Sequence, residues 1–349
     1  MSASASTAGT GSRLPPPEVV ELARHIFVGP GGSPRLVAHE LLKKSVHRLC
    51  FDVLAGPASV VVKRLSPALA RASQLVAERW LPAAGLEWAC PGLQGVVREP
   101  SGSSVWHIYE DIAGSGLDDS LADPARVVPV VELMVELHTR FAGHALLAEC
   151  RELGADLGMS FFAGQVGRSI DALKSIGTLG PPLLPEQAAL RNRLLGRVER
   201  LYSERHGRAL LLETCGGPDT LLHGDLWTTN TLVVERADGL QARLVDWDQA
   251  GVGPVTFDLS TFLYRFPSES RPWILGRYRD AAARRGRWLP DDSTLNLLFE
   301  TAEYARYACC LAEAALAASR GESWGFEQME EIETWFARLE PALAVDGCR

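Results

Sequence analysis

The spacing of apolar residues changes along the chain and divides it into a β-rich part and a helical part. Before residue 112, short runs rich in Val and Leu alternate with turn signals such as Gly56-Pro57. This pattern is typical of strands, and it predicts an antiparallel meander followed by two more strands. The strands are predicted at residues 35–42, 48–54, 59–65, 95–99 and 104–109.

A helix is predicted between the third and fourth of these strands. Ser66 is expected to cap its N-terminus, with Pro67 at the first helical position. Its apolar residues recur at helical spacing as far as Trp80, and Pro82 and Gly85 are expected to end it.

From Ile112 onward the apolar residues follow helical spacing. Asp123-Pro124 predicts a helix start, and Gly143 is expected to close that helix. Further helices in this part are predicted at residues 160–176, 185–206, 257–265, 271–285, 294–319 and 325–343. One more short helix is predicted before the strands, at residues 19–28. The chain is therefore expected to be α+β, with a flexible tail at 1–18, a small β-rich domain at 19–111 and a larger, mainly helical domain at 112–349.

A β-hairpin is predicted within the helical part. Two β-favouring runs, residues 231–234 and 244–245, flank a turn-rich segment with Asp238-Gly239 at its tip.

Three polar residues flank this hairpin. Asp225 lies in a His-Gly-Asp sequence before the first strand, Asn230 directly precedes that strand, and Asp246 follows the second. A tight hairpin is expected to bring the three side chains towards a common point. Two carboxylates and an amide oxygen are hard ligands, which suits Mg²⁺ completed by water and phosphate oxygens.

Composition excludes several classes of protein. The 349 residues are 46% hydrophobic and 22% charged, as in an ordinary globular protein. No run of 18 apolar residues exists, and the first 18 residues lack the apolar segment of a secretory signal, so no membrane association is expected. The seven scattered cysteines contain no CxxC pair, which predicts reduced thiols in a cytoplasmic protein.

The net charge of −8 argues against nucleic acid as a partner. It is concentrated at the C-terminal end, where the residues from Asp291 onward include twelve acidic residues and four arginines. Two interpretations stay open: a solvated helical face, or an acidic wall for a cationic substrate.

The sequence HGDxxxxN followed by DWD resembles the signature of the aminoglycoside phosphotransferase and choline kinase-like superfamily. These small-molecule kinases share the two-lobed protein kinase fold. The resemblance is strong over residues 221–260 and weaker over 36–142. It implies ATP or GTP and Mg²⁺ as cofactors.

The resemblance also implies a role for each residue of the signature. Asp225 would be the catalytic base, or would orient the acceptor hydroxyl, and Asn230 and Asp246 would bind Mg²⁺. His223 is expected to brace the loop, since no second histidine lies at ligand spacing to make it a metal ligand.

Two further aspartates have two readings each. Asp248 would support the site or be an ordinary strand-end carboxylate. Asp258 matches the aspartate that steadies the catalytic loop in the family, or is a helix N-terminal acid.

In the N-terminal domain, the resemblance makes Lys63 the lysine that holds the α- and β-phosphates. Its partner would be Glu78 in the following helix, with Glu87 as the alternative. Backbone groups from Glu110 to Ile112 would bind the purine edge.

Two departures from protein kinases are informative. No GxGxxG lies before Lys63, so a shorter loop around Ser45 is expected to meet phosphate through its amides. The basic residue that protein kinases carry two positions after the base aspartate is replaced by Trp227. The second departure disfavours a protein substrate, as does the lack of an APE-like segment after Asp246.

The sequence therefore predicts a kinase of a small hydroxylated molecule, and the acidic C-terminal end favours an amine-bearing acceptor such as an aminoglycoside. The acidic segment 322–340 with the aromatic residues Trp273, Trp324 and Trp335 would form the acceptor pocket, although these tryptophans also have an ordinary core reading. The alternatives are a fructosamine-, sugar- or macrolide-type kinase, a kinase-fold nucleotide-binding protein without turnover, and a metal hydrolase that uses the same acids.

Overall fold

The predicted strands of the N-terminal part form one antiparallel sheet in a computed structural model that describes residues 14–29, 33–117, 122–177 and 182–344. These residues divide into two units: those up to Ser115 together with Arg243–Asp248, and those from Gly116 to Ala242 together with those from Gln249 onward. The predicted tail lies largely outside the described residues.

The sheet of the first unit has five strands, numbered in chain order with the ranges given below, and their order in the sheet is β1–β2–β3–β5–β4. Helix α1 (Pro17–Ile26) begins two residues before its predicted start and packs Val19, Val20 and Ala23 against buried sheet residues that include Leu49 and Phe51. The strands are β1 (Arg35–Lys43), β2 (Val46–Val53), β3 (Gly56–Leu65), β4 (Leu93–Arg98) and β5 (Val105–Glu110).

The helix inserted after β3 begins as predicted but continues differently. It runs as α2 (Pro67–Leu75), a π-helical turn (Val76–Trp80) and α3 (Leu81–Ala83), so it continues past Pro82. The predicted Ser66 cap is wrong, because the Ser66 side chain makes no capping hydrogen bond. The predicted apolar face is buried and includes Trp80, which is fully enclosed.

Helix capping gives a first testable contrast. Asp123 does cap its helix, since its carboxylate accepts a hydrogen bond from the backbone N–H of Ala125 at 3.0 Å. Asp123→Ala should therefore lower the free energy of unfolding by about 1 kcal/mol. Ser66→Ala should stay within about 0.5 kcal/mol of wild type, as surface substitutions do. Urea unfolding followed by circular dichroism would measure both, and an equal loss in the two variants would contradict the assignment.

The second unit is mainly helical. Its helices are α4 (Pro124–Phe141), α5 (Leu147–Leu153), α6 (Met159–Ser175), α7 (Pro185–Ser203), α8 (Arg205–Cys215), α9 (Thr256–Leu263), α10 (Arg271–Ala283), α11 (Asp292–Ser319) and α12 (Ser323–Arg338). The core joins α6, α7, α11 and α12, around Phe162, Leu194, Leu311 and Ile332. None of these helices is both long enough and apolar enough to cross a lipid bilayer.

Two of these helices were not predicted. Helix α5 is only seven residues long. Helix α8 buries none of its residues, so its sequence lacks the apolar periodicity on which the prediction depends. The helix predicted at 185–206 accordingly ends at Ser203, and the chain continues as α8.

Six short strands lie outside the five-stranded sheet in the described residues, and three of them form a sheet in the second unit in the order β7 (Ala155–Asp156), β11 (Gly251–Gly253), β8 (Thr220–Leu222). The predicted hairpin is present, but its second strand is longer and earlier than predicted, because most of the supposed turn segment is strand. The strands are β6 (Ser115–Gly116), β7 (Ala155–Asp156), β8 (Thr220–Leu222), β9 (Thr231–Arg236), β10 (Gly239–Leu244) and β11 (Gly251–Gly253).

Candidate active site

The loop that follows β8 is held by a fully buried carboxylate. Asp258 lies in the first turn of α9 with no exposed surface. Its Oδ2 accepts a hydrogen bond from the backbone N–H of His223 at 2.8 Å, and its Oδ1 accepts one from the N–H of Gly224 at 2.9 Å. Asp258 therefore fixes the backbone directly before Asp225, and it is more than an acid at a helix N-terminus.

A second layer of buried polar groups holds Asp258. His138 Nε2 lies 3.3 Å from Asp258 Oδ2, and the other ring nitrogen of His138 lies 2.9 Å from the Tyr278 hydroxyl. Burial by itself would raise the pKa of the Asp258 carboxyl, but the hydrogen bonds from His138 and the loop amides outweigh burial and lower it. The carboxylate is therefore charged in the folded protein at neutral pH.

Gly224 is required by the shape of this loop. Its φ is +82°, and a Cβ added there would lie 2.0 Å from the backbone oxygen of Gln249. Both the left-handed backbone and the close approach exclude a side chain. The glycine of the His-Gly-Asp sequence thus allows the loop to pass directly against the segment after the hairpin.

Asp225 and Asn230 are brought together by this loop, as the sequence predicts. Asn230 Nδ2 donates to the backbone oxygen of Asp225 at 2.9 Å and to its Oδ2 at 3.2 Å. Asp225 is partly exposed, whereas Asn230 is 2% exposed. The carboxylate of Asp225 is therefore oriented by the amide and still open on one side.

The amide oxygen of Asn230 has the character of a metal ligand. It is buried, and no hydrogen-bond donor among the described residues reaches it. A buried amide oxygen without a donor is costly unless something else binds it. A hard cation such as Mg²⁺ fits this atom, because Mg²⁺ prefers oxygen ligands.

Asp246 belongs to the first unit and has an unusual backbone. Its φ is +69°, in the left-handed region that residues other than glycine seldom adopt. Such strain clusters at functional sites. The described residues contain no group of three or more His, Cys, Asp or Glu side chains suited to a metal. The three residues predicted to meet at the metal, Asp225, Asn230 and Asp246, supply only two carboxylates, together with the amide of Asn230.

Lys63 is held by two aspartates of the first unit. Its Nζ lies 2.5 Å from Asp246 Oδ1 and 2.6 Å from Asp248 Oδ2, and the Lys63 side chain is 15% exposed. Burial would lower the pKa of the ammonium, but the two carboxylates outweigh it and raise the pKa. Lys63 is therefore charged at neutral pH and lies next to the predicted metal ligand Asp246.

Glu78 does not lie against Lys63. It is exposed and accepts a hydrogen bond from Gln74 Nε2 at 2.9 Å, and the alternative, Glu87, is exposed as well. The predicted pairing of Lys63 with Glu78 is absent, because Glu78 lies on the polar face of its helix while Asp246 and Asp248 occupy the space around the ammonium.

The predicted nucleotide-binding backbone is partly engaged with other groups. Ser45 lies in the turn between β1 and β2 with a φ of +70°, and its carbonyl accepts the N–H of Arg64. The Glu110 N–H donates to Gly92, and the Ile112 carbonyl accepts the N–H of Gly114.

The acidic C-terminal segment is partly neutralised within the second unit. Glu322 pairs with Arg320 at 2.6 Å, and Glu333 pairs with Arg193 at 2.7 Å. Trp335 packs beside the core of the second unit, in agreement with its core reading.

Three residues near the predicted site residues have no signal in the sequence. His138 holds Asp258, Ser73 Oγ donates to Asp248 Oδ1 at 3.2 Å, and the guanidinium of Arg265 lies 3.9 Å from the ring centroid of Trp227. Their partners are distant in the chain, so no local spacing could have pointed to them.

Comparison with known proteins gives one match at the level of sequence families. Residues 53–293 match the profile described as the phosphotransferase enzyme family. No curated protein sequence matches the chain.

Several solved structures of phosphotransferases and kinases are similar in fold to this chain. Spectinomycin phosphotransferase APH(9)-Ia, in complex with ADP and spectinomycin, has 12% identity and a TM-score of 0.58, covering 93% of this chain and 95% of that chain. Plasmodium vivax ethanolamine kinase has 11% identity and a TM-score of 0.57, covering 86% and 81%. Macrolide 2′-phosphotransferase MphH from Brachybacterium faecium has 17% identity and a TM-score of 0.53, covering 90% and 96%. The predicted protein-kinase-like fold is confirmed.

Proposed function

Since this chain belongs to the phosphotransferase enzyme family and is a small-molecule kinase that acts on hydroxyl groups, we propose that it is Mg²⁺-dependent and phosphorylates an amine-bearing acceptor with ATP or GTP. The observation that carries this proposal is the pair Asp225 and Asn230. The carboxylate of Asp225 is oriented by Asn230 and is partly exposed. The amide oxygen of Asn230 is buried, and no hydrogen-bond donor among the described residues reaches it.

Each residue has a separate task in the proposed reaction. Asp225 orients the acceptor hydroxyl and takes its proton as the hydroxyl oxygen bonds to the γ-phosphorus. The bond between the γ-phosphorus and the bridging oxygen breaks, and the nucleoside diphosphate leaves. Lys63 holds the α- and β-phosphates, so that the γ-phosphate stays in line with the hydroxyl.

Asn230 and Asp246 would hold the metal. When bound, Mg²⁺ neutralises charge on the phosphate oxygens as the transfer proceeds. Asp258 and His223 contribute indirectly, because they fix the loop that carries Asp225. Ser45 and the segment from Glu110 to Ile112 are the proposed contacts to phosphate and purine.

An amine-bearing acceptor is placed first for two reasons. The C-terminal end carries twelve acidic residues and four arginines from Asp291 onward. One of the similar structures is, by name, an ethanolamine kinase, and another was solved with spectinomycin. Since a macrolide phosphotransferase is also similar in fold, macrolides belong in the same test.

The test is nucleotide consumption with Mg²⁺ against a panel of aminoglycosides, choline-like amines, amino sugars, ketoamines, neutral sugars and macrolides. Mass spectrometry of the acceptor would detect the added phosphate. We expect one amine-bearing class to stimulate release of the nucleoside diphosphate and to gain a phosphate, and EDTA to abolish both. Phosphorylation of a macrolide or a neutral sugar alone would overturn the acceptor class, and turnover in EDTA would overturn the metal dependence.

A further inference from the structure

Lys63 cannot depend on both of its aspartates once a nucleotide and its metal ion are bound. Asp246 would then be a ligand of the metal, so its charge would be directed to the cation. Asp248 would remain as the second carboxylate on the ammonium, at 2.6 Å.

Asp248 is itself held by a buried hydroxyl group inside the first unit. Its Oδ1 accepts the hydroxyl of Ser73, a residue of α2 that is 4% exposed. This chain of Ser73, Asp248 and Lys63 links α2 to the lysine.

We propose that Asp248 is the positioning residue for Lys63, in the role that the family resemblance would give to the helix glutamate Glu78, and that Ser73 couples Asp248 to α2. This inference rests on the proposed function, since it concerns the lysine that holds the nucleotide phosphates. Helix α2 therefore reaches the lysine through a serine and an aspartate, and not through a glutamate of its own.

The two oxygens of Asp248 have one donor each. Lys63 donates to Oδ2 and Ser73 donates to Oδ1. An asparagine has one acceptor oxygen and an amide that donates, so it can accept from one of the two donors only. Asp248→Asn therefore breaks the chain with little change of shape.

The experiment compares a nucleotide with its nucleoside, which lacks the phosphates that Lys63 holds. ADP and adenosine would be titrated into the full-length protein by calorimetry, or GDP and guanosine if wild type prefers guanine. Asp248→Asn should weaken ADP binding about tenfold, the size of a coupling within one hydrogen-bond network, and should leave adenosine binding unchanged. Ser73→Ala should weaken ADP binding about threefold for the same reason.

The direction of the effect separates positioning from simple charge. Removing a carboxylate near anionic phosphates would by charge alone tighten ADP binding. A loss of affinity therefore indicates positioning, and an unchanged adenosine affinity excludes general damage to the first unit. In Lys63→Met protein, Asp248→Asn should have no further effect on ADP, because Asp248 acts through Lys63.

Two further variants decide between the candidate anchors. Glu78→Gln is the competing variant: a tenfold loss of ADP affinity there, with Asp248→Asn unaffected, would assign the role to the helix glutamate. Asp52→Asn, an exposed acid of the first unit, is the matched control for loss of one negative charge. Tighter or unchanged ADP binding in Asp248→Asn would overturn the inference, while turnover by wild type would leave the proposed function standing. Failure of wild type to bind any nucleotide would overturn both.

Discussion

Asp225→Asn should lower kcat by about 10²- to 10⁴-fold, the range that a positioned general base contributes. An asparagine can accept the hydrogen bond from Asn230 Nδ2 that Asp225 Oδ2 accepts at 3.2 Å, so the loop should keep its shape. It cannot take the proton of the acceptor hydroxyl. Initial rates with the acceptor that the panel identifies would measure the loss.

The same variant should fold normally. Asp225 is partly exposed, and the buried contacts of the loop run through the backbone amides of His223 and Gly224. We expect its free energy of unfolding to stay within about 0.5 kcal/mol of wild type. Asp219→Asn, an exposed acid that pairs with Arg151 in the same unit, is the matched control and should keep full activity. If Asp225→Asn kept more than a tenth of the wild-type rate, Asp225 would not be the base.

Local residue order was enough to predict that Asp225 and Asn230 lie in contact. Asp225 and Asn230 are five residues apart, and the turn between them is closed by hydrogen bonds within the segment itself. The position of Gly224 in the His-Gly-Asp sequence likewise reflects a local requirement, a left-handed φ of +82°. Contacts between residues that are close in the chain depend on few possible backbone conformations, so sequence patterns predict them well.

The partner of Lys63 shows where a family resemblance and a sequence pattern disagreed. The resemblance implies Glu78, whereas Arg71 and Gln74, which lie at helical spacing from Glu78, are polar and indicate an exposed face. Glu78 is exposed and bonded to Gln74, as the pattern indicates. Apolar periodicity reports which face of a helix is buried, and it was the better guide here.

Contacts between distant residues could not be predicted. Ser73 and Asp248 are 175 positions apart, and His138 and Asp258 are 120 apart. Each pair depends on how whole elements pack, and neither serine nor histidine at these positions departs from an ordinary helical residue. The missing cap at Ser66 has a different, local origin, because a capping bond depends on side-chain orientation that the residue type alone does not determine.

Asp258→Ala should destabilise the protein by about 3–5 kcal/mol, as the loss of one partner in a buried charged network does. The backbone amides of His223 and Gly224 would lose their acceptor inside the protein, and His138 would lose its carboxylate. Each buried donor left without a partner costs about 1–3 kcal/mol. Urea unfolding would measure the loss, and activity should fall with it because the loop carries Asp225.

Acid unfolding provides an independent check on the same residue. The pKa of Asp258 is lowered in the folded protein from an ordinary value of 3.8, so the unfolded chain binds the proton at a higher pH than the folded one. The stabilisation is therefore fully present above pH 3.8 and is lost as the pH falls from there towards the folded pKa. Asp258→Asn should flatten the acid side of the stability curve relative to wild type. Glu99 and Asp291, whose pKa values are lowered to about 2, are unchanged in both proteins and cancel in the comparison. Equal acid slopes in the two proteins would show that folding does not lower the pKa of Asp258.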